Sequence, residues 1–188
     1  MKNIIILIYL NTHLNPGKMI KNILLLLPCI VFNQNYIWEE IHDKREYSIS
    51  GVALFKDGYL VVHDNKEKKQ ARVSYIDKNM KITKLIWPER KPPFDLEAVV
   101  KFPNIDNRFI LMESTGKCYD IFIDPKDFRI DLLENFTLPK LKPNMNLEGL
   151  TIFQSAQGIV FLYGDRGSDL RVSTLFTAFF KLKKKKFY

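Results

Sequence analysis

Cysteine is scarce: the 188 residues hold only Cys29 and Cys118. If Cys29 leaves with an N-terminal address segment, Cys118 stands alone and an intrachain disulfide is excluded. The three histidines form no cluster, and neither CxxC nor HExxH occurs, so a zinc site has no support. The glycine-rich fingerprints of nucleotide-binding loops are also missing. Outside residues 20–32 no window holds a sustained 3.6-residue apolar period, which excludes a helical bundle. Neither apolar run, 4–10 or 23–32, approaches the ~20 residues a spanning helix needs.

Charge is abundant but unevenly placed. The formal net charge is +8. Residues 1–33 contribute Lys2, Lys18 and Lys21 with no acid, and 181–188 contribute five lysines with no acid. Between 34 and 180, 21 basic residues face 21 acidic ones. The body therefore lacks the basic field that draws a protein to phosphate backbones, and no nucleic-acid partner is expected.

From Met19 the chain reads "MIKNILLLLPCIVFNQNY": a lysine, a short apolar run, then a polar break. That is the order of a secretory signal, so residues 1–33 are expected to be a signal peptide or N-terminal hydrophobic segment. An uncleaved anchor and a buried segment are the alternatives. Export implies a periplasmic, secreted or surface-attached protein, with no integral membrane domain beyond that signal.

The body repeats itself. "SISGVALF" (48–55), "DLEAVV" (95–100) and "NLEGLTIF" (146–153) share one shape, and Gly51, Ala98 and Gly149 correspond at spacings of 47 and 51 residues. Each copy continues as a turn, a second apolar strand, another turn and a third strand. The turns carry Asp57-Gly58, Asn104 to Asn107, and Gln157-Gly158. Fourth strands fit 80–87 and 129–138. Four antiparallel strands recurring about every 50 residues predict an all-β partial β-propeller over 34–180, of about three blades. A β-sandwich is the competing architecture. A small residue opening each innermost strand suits the crowding around a propeller axis. The repeat pattern fails near Thr177, and the basic tail 181–188 reads as a truncation or frameshift product, or else as a designed tail. "NYIWEEI" (35–41) fits an outer latching strand.

The segments "SGVALFKDGYLVVHDN", "DLEAVV", "NLEGLTIF" and "YGDRGSDLRVSTLF" resemble the phytase-like (esterase-like) group of secreted bacterial β-propellers, over roughly 48–176. The resemblance implies a six-bladed parent, extracytoplasmic placement, and acids at one channel mouth that hold Ca²⁺ and a substrate phosphate. Only Glu97 and Glu148 match the Glu-Gly/Ala motif, while the first copy has Ser50.

Two acidic sets emerge. Asp95, Glu97 and Glu148 open innermost strands, and converging carboxylates of this kind suit Ca²⁺, making these three the expected metal ligands. Equally, each could only hydrogen-bond a neighbouring blade, or two could split their pKa values and serve as acid and base. Asp64, Glu113 and Asp165 close second strands, where turn-forming roles are usual and the opposite rim is open to them. Arg166, in "GDRGSD", and Asp165 are the expected ligand-binding pair for a small or phosphorylated molecule. The bland alternative for Arg166 is an intrablade pair with Asp165 or Asp169. His63 reads as a half-buried neighbour or a base, and Trp38 and Trp87 as packing residues. Three functions follow: a calcium-dependent phosphoester or ester hydrolase, a non-catalytic binding scaffold, or an inactive fragment.

Overall fold

The structure is a computed structural model that describes residues 40–181 and 186–187. The N-terminal apolar runs, Cys29, Trp38 and most of "NYIWEEI" lie outside the described residues. Glu40 and Ile41, which are described, are not in a strand.

Three four-stranded antiparallel sheets follow one another along the chain. Sheet 1 comprises β1 (Ile49–Phe55), β2 (Gly58–His63), β3 (Val73–Ile76) and β4 (Ile82–Leu85). Sheet 2 comprises β5 (Leu96–Lys101), β6 (Arg108–Glu113), β7 (Lys117–Ile123) and β8 (Ile130–Thr137). Sheet 3 comprises β9 (Leu147–Ser155), β10 (Gly158–Asp165), β11 (Thr174–Lys181) and β12 (Lys186–Phe187). Each sheet keeps its strands in chain order, and none closes on itself. Among the described residues no helix is long and apolar enough to cross a membrane.

The turns bend where the sequence placed them. Asn104 and Asn107 adopt positive φ, a conformation that asparagine tolerates better than most side chains. The third sheet does not stop where the repeat pattern stops. β11 continues past Thr177 to Lys181, and Phe187 pairs with Phe180 as a fourth, two-residue strand. Aromatic packing explains the continuation, because Phe180 stacks on Phe136 and meets Phe161 edge-on, while Phe187 packs tilted on Phe136 and edge-on to Phe161.

The sheets pack face to face through two apolar layers. Between sheets 1 and 2 lie Phe55, Leu60, Val62, Val99, Phe109, Leu111 and Tyr119. Between sheets 2 and 3 lie Ala98, Ile110, Met112, Cys118, Ile152, Phe161 and Tyr163. Sheet 2 is therefore covered on both faces, which is why β6 reads as the unbroken apolar run "FILM" with no polar alternation. The first strands lie side by side, with β5 between β1 and β9.

That adjacency explains the glycine of the first copy. A Cβ on Gly51 would come within 2.9 Å of the Val99 backbone nitrogen and 3.0 Å of the Ala98 Cα. Sheet 1 can approach β5 only because no side chain stands there. At Gly149 a Cβ would meet nothing within 4 Å, because the matching face of sheet 3 is bare.

Candidate functional site

The repeated motif is a β-bulge. In each sheet the pairing of the first two strands slips at its middle residue: Ile49 pairs with His63 and Gly51 with Val62, Leu96 with Glu113 and Ala98 with Met112, Leu147 with Asp165 and Gly149 with Gly164. Ser50, Glu97 and Glu148 are the extra residues, each unpaired in its ladder. A bulge re-aims the side chain it carries, and three equivalent bulges point three polar groups at one rim. The preceding residue anchors the device: Leu96 and Leu147 are fully buried, whereas Ile49, at the outer end of the series, is partly exposed.

This register corrects two expectations. The start of each first strand is opposite the end of the second, so Glu113 and Asp165 share the rim of Glu97 and Glu148. Antiparallel partners run in opposite directions, which brings the head of one beside the tail of the next. In sheet 1 the equivalent of Glu113 and Asp165 is His63, not Asp64. Asp64 is one residue further on, held by a bidentate pair with Arg45 at 2.8 Å on each oxygen.

Most of the rim's polar groups are already engaged. Glu113 is buried and accepts from the Phe94 N–H at 2.9 Å and the Tyr119 hydroxyl at 2.5 Å. Asp165 is buried, accepts from the Asn146 N–H at 3.1 Å and the Gly167 N–H at 3.2 Å, and is ion-paired with Arg171. Both carboxylates thus clasp the backbone leading into their own first strand, a role that sequence spacing did not single out. His63, fully buried, bridges the Ser48 carbonyl oxygen and the Ser74 hydroxyl, and burial holds its pKa below the usual imidazole value. Ser50 donates across the gap between sheets to the Leu96 carbonyl, at 2.5 Å.

The remaining acids differ. Asp95 pairs with Lys66 at 3.0 Å and accepts from the Ser114 hydroxyl at 2.9 Å. Glu148 pairs with Arg166 at 3.1 Å and accepts from Asn146 Nδ2 at 2.7 Å. Arg166 therefore reaches the bulge carboxylate of its own sheet, while Asp165 is taken by Arg171. Glu97 has no hydrogen bond or ion pair among the described residues. Its carboxyl is pushed up to about 7, first by burial and then by the charges of Glu148, Asp95 and Asp64, with Lys66 opposing. Glu97 and Glu148 are thus close enough to sense each other, as their adjacent strands require.

Among the described residues no group of three or more His, Cys, Asp or Glu is placed to hold a metal ion. Ca²⁺ takes six to eight oxygens, and here Asp95 and Glu148 are each already neutralised by a cation.

Beside Asp95 the structure gathers what the sequence keeps apart. A groove of about 540 Å³ is lined by Lys66, Lys68, Arg72, Arg90, Lys91 and Phe94, with Pro92 and Pro93 completing it. No carboxylate lines it. Arg72 is buried, and its guanidinium donates only to carbonyls, those of Pro93, Gln70 and Glu67, so its charge is not cancelled by an acid there. The two loops that supply these cations, 64–72 and 86–95, are distant in sequence and meet at the head of β5. Only folding exposes this patch in a body whose net charge is zero.

No family model matches the chain, and no curated protein matches it. The functional reading rests on the geometry above.

Proposed function

We propose that the three sheets are consecutive blades of a β-propeller, and that the chain is an exported, non-catalytic scaffold that binds a small anionic ligand, phosphorylated molecules included. The propeller reading is supported by equivalent bulges on adjacent first strands and by the close approach of Gly51 to β5. The ligand reading is carried by one observation: five cationic side chains line a groove that holds no carboxylate. Lys68, Arg90 and Lys91 have no ion-pair partner among the described residues, so an anion would meet them without displacing an acid. Exposed Phe94 offers an apolar face beside them. A scaffold is favoured over a hydrolase because, of the described rim acids, Asp95 and Glu148 are ion-paired with Lys66 and Arg166 while Glu113 and Asp165 clasp the backbone, which leaves Glu97 alone unengaged.

Calorimetric titration with pyrophosphate tests this. The protein is expected to bind it in a salt-sensitive manner, and the double variant Arg90→Glu/Lys91→Glu to bind about tenfold or more weakly, the equivalent of ~1.4 kcal/mol. Unchanged affinity in the variant rejects the groove. Turnover of p-nitrophenyl phosphate or p-nitrophenyl acetate that vanishes in chelator and returns with Ca²⁺ rejects the scaffold and restores the hydrolase.

A further inference from the structure

The two end sheets expose, at their inner strands, the faces that the inner contacts use. One row across each sheet shows this. Gly51, Val62 and Val73 are aligned across sheet 1, and Ala98, Met112 and Cys118 across sheet 2. The following sheet covers both rows, and Val62, Val73, Met112 and Cys118 are all fully buried. The corresponding row of sheet 3 is Gly149, Gly164 and Leu175; a Cβ on either glycine would meet nothing within 4 Å, and Leu175 is 67% exposed. Phe153, 50% exposed, extends the same face.

The complementary face shows the same pattern. Val99 of β5 turns toward sheet 1 and is buried, and Leu150 of β9 packs on sheet 2. Their counterpart in β1 is Val52, which is 59% exposed, and Leu54, on the same side of β1, is 72% exposed. The chain thus carries a bare glycine-lined face at one end and a bare Val/Leu face at the other. Between sheets 1 and 2, faces of these two kinds are already joined, down to a backbone approach that only glycine permits.

We infer that the occupant of both faces is a second copy of this chain. In that pair, β1 of each copy lies along β9 of the other, repeating the contact that β1 makes with β5. The contact is head-to-tail, and two such contacts related by a two-fold axis close on themselves. Two arcs of three sheets make a ring of six, within the roughly four to eight blades that closed propellers use. Closure also brings Gly149 against the second copy's β1, where its missing side chain acquires the purpose that Gly51 has within one chain. This inference rests on the propeller reading.

Light scattering on the eluting 188-residue chain, at tens of micromolar, tests it. A particle of two chains is expected, and Gly149→Arg and Leu54→Glu should each reduce it to one chain while keeping the circular-dichroism spectrum of a folded β protein. A wild-type monomer overturns the inference, whether its faces stay bare or are covered by the chain's own N-terminal segment. So does a dimer that survives both substitutions, or open oligomers that grow with concentration. Val99→Asp separates this from failure of the underlying arc. If that variant still melts cooperatively at the wild-type temperature, sheets 1 and 2 do not pack as described; if it unfolds while the wild type is monomeric, the arc stands and only the pairing is wrong.

Discussion

Three bulge positions carry Ser50, Glu97 and Glu148, and each meets a different fate. Ser50 is spent on a hydrogen bond to the next sheet, Glu148 on Arg166, and Glu97 on nothing described. A half-buried carboxyl that senses three other acids favours its protonated form, which is why Glu97 rises to about 7. The folded state then binds a proton that the unfolded state releases above its ordinary value of 4.5. Stability should fall as pH rises from about 4.5 to about 7, since the native state is the one holding the extra proton. Glu97→Gln removes this titration. Thermal melts are expected to show the variant gaining on the wild type at pH 8 and showing little difference at pH 4; a constant offset at both would assign the bulge no electrostatic cost.

At the scale of the element, the motif is a two-part device: a buried anchor, then an unpaired residue turned to the rim. The anchors differ in depth, so their removal should differ in cost. Leu96→Ala opens a cavity between sheets and is expected to cost about 2–5 kcal/mol, whereas Ile49→Ala, at the exposed end, should cost about 1 kcal/mol or less. Denaturant titration reads both, and equal losses would contradict the series. The strands themselves were legible in the sequence because period-two alternation, turn residues and a repeat near 50 residues agree. The pairing register was not, since a bulge is one extra residue that alternation alone does not reveal. The pairing of Ile49 with His63 moved the acid position of sheet 1 from Asp64 to His63, and the antiparallel run of the first two strands put Glu113 and Asp165 on the same rim as Glu97. The convergence of Glu97 with Glu148 was foreseeable once the copies were aligned. The clasps made by Glu113 and Asp165 were not, because they pair with backbone N–H groups, which every residue has. Nor was the cationic groove, whose halves come from two loops.

For the whole molecule, stability comes from two interlayer cores sharing sheet 2, and specificity from how closely the first strands approach. The asymmetry between ends follows: sheet 2 has no bare face, while sheets 1 and 3 each keep one at their inner strand. An exposed face that carries Val52 and Leu54, or Phe153 and Leu175, is costly to leave in water unless something covers it. The groove, the rim and the pairing all depend on successive sheets meeting through their first strands, with Gly51 inside a contact and Gly149 outside one. Denaturant unfolding of Gly51→Val and Gly149→Val, at submicromolar concentration where association contributes nothing, tests it most directly. The account predicts a loss of about 1–3 kcal/mol or more for Gly51→Val, from a side chain forced against the β5 backbone, and a change within about 0.5 kcal/mol for Gly149→Val. Equal losses at the two positions, or none at Gly51, would contradict it.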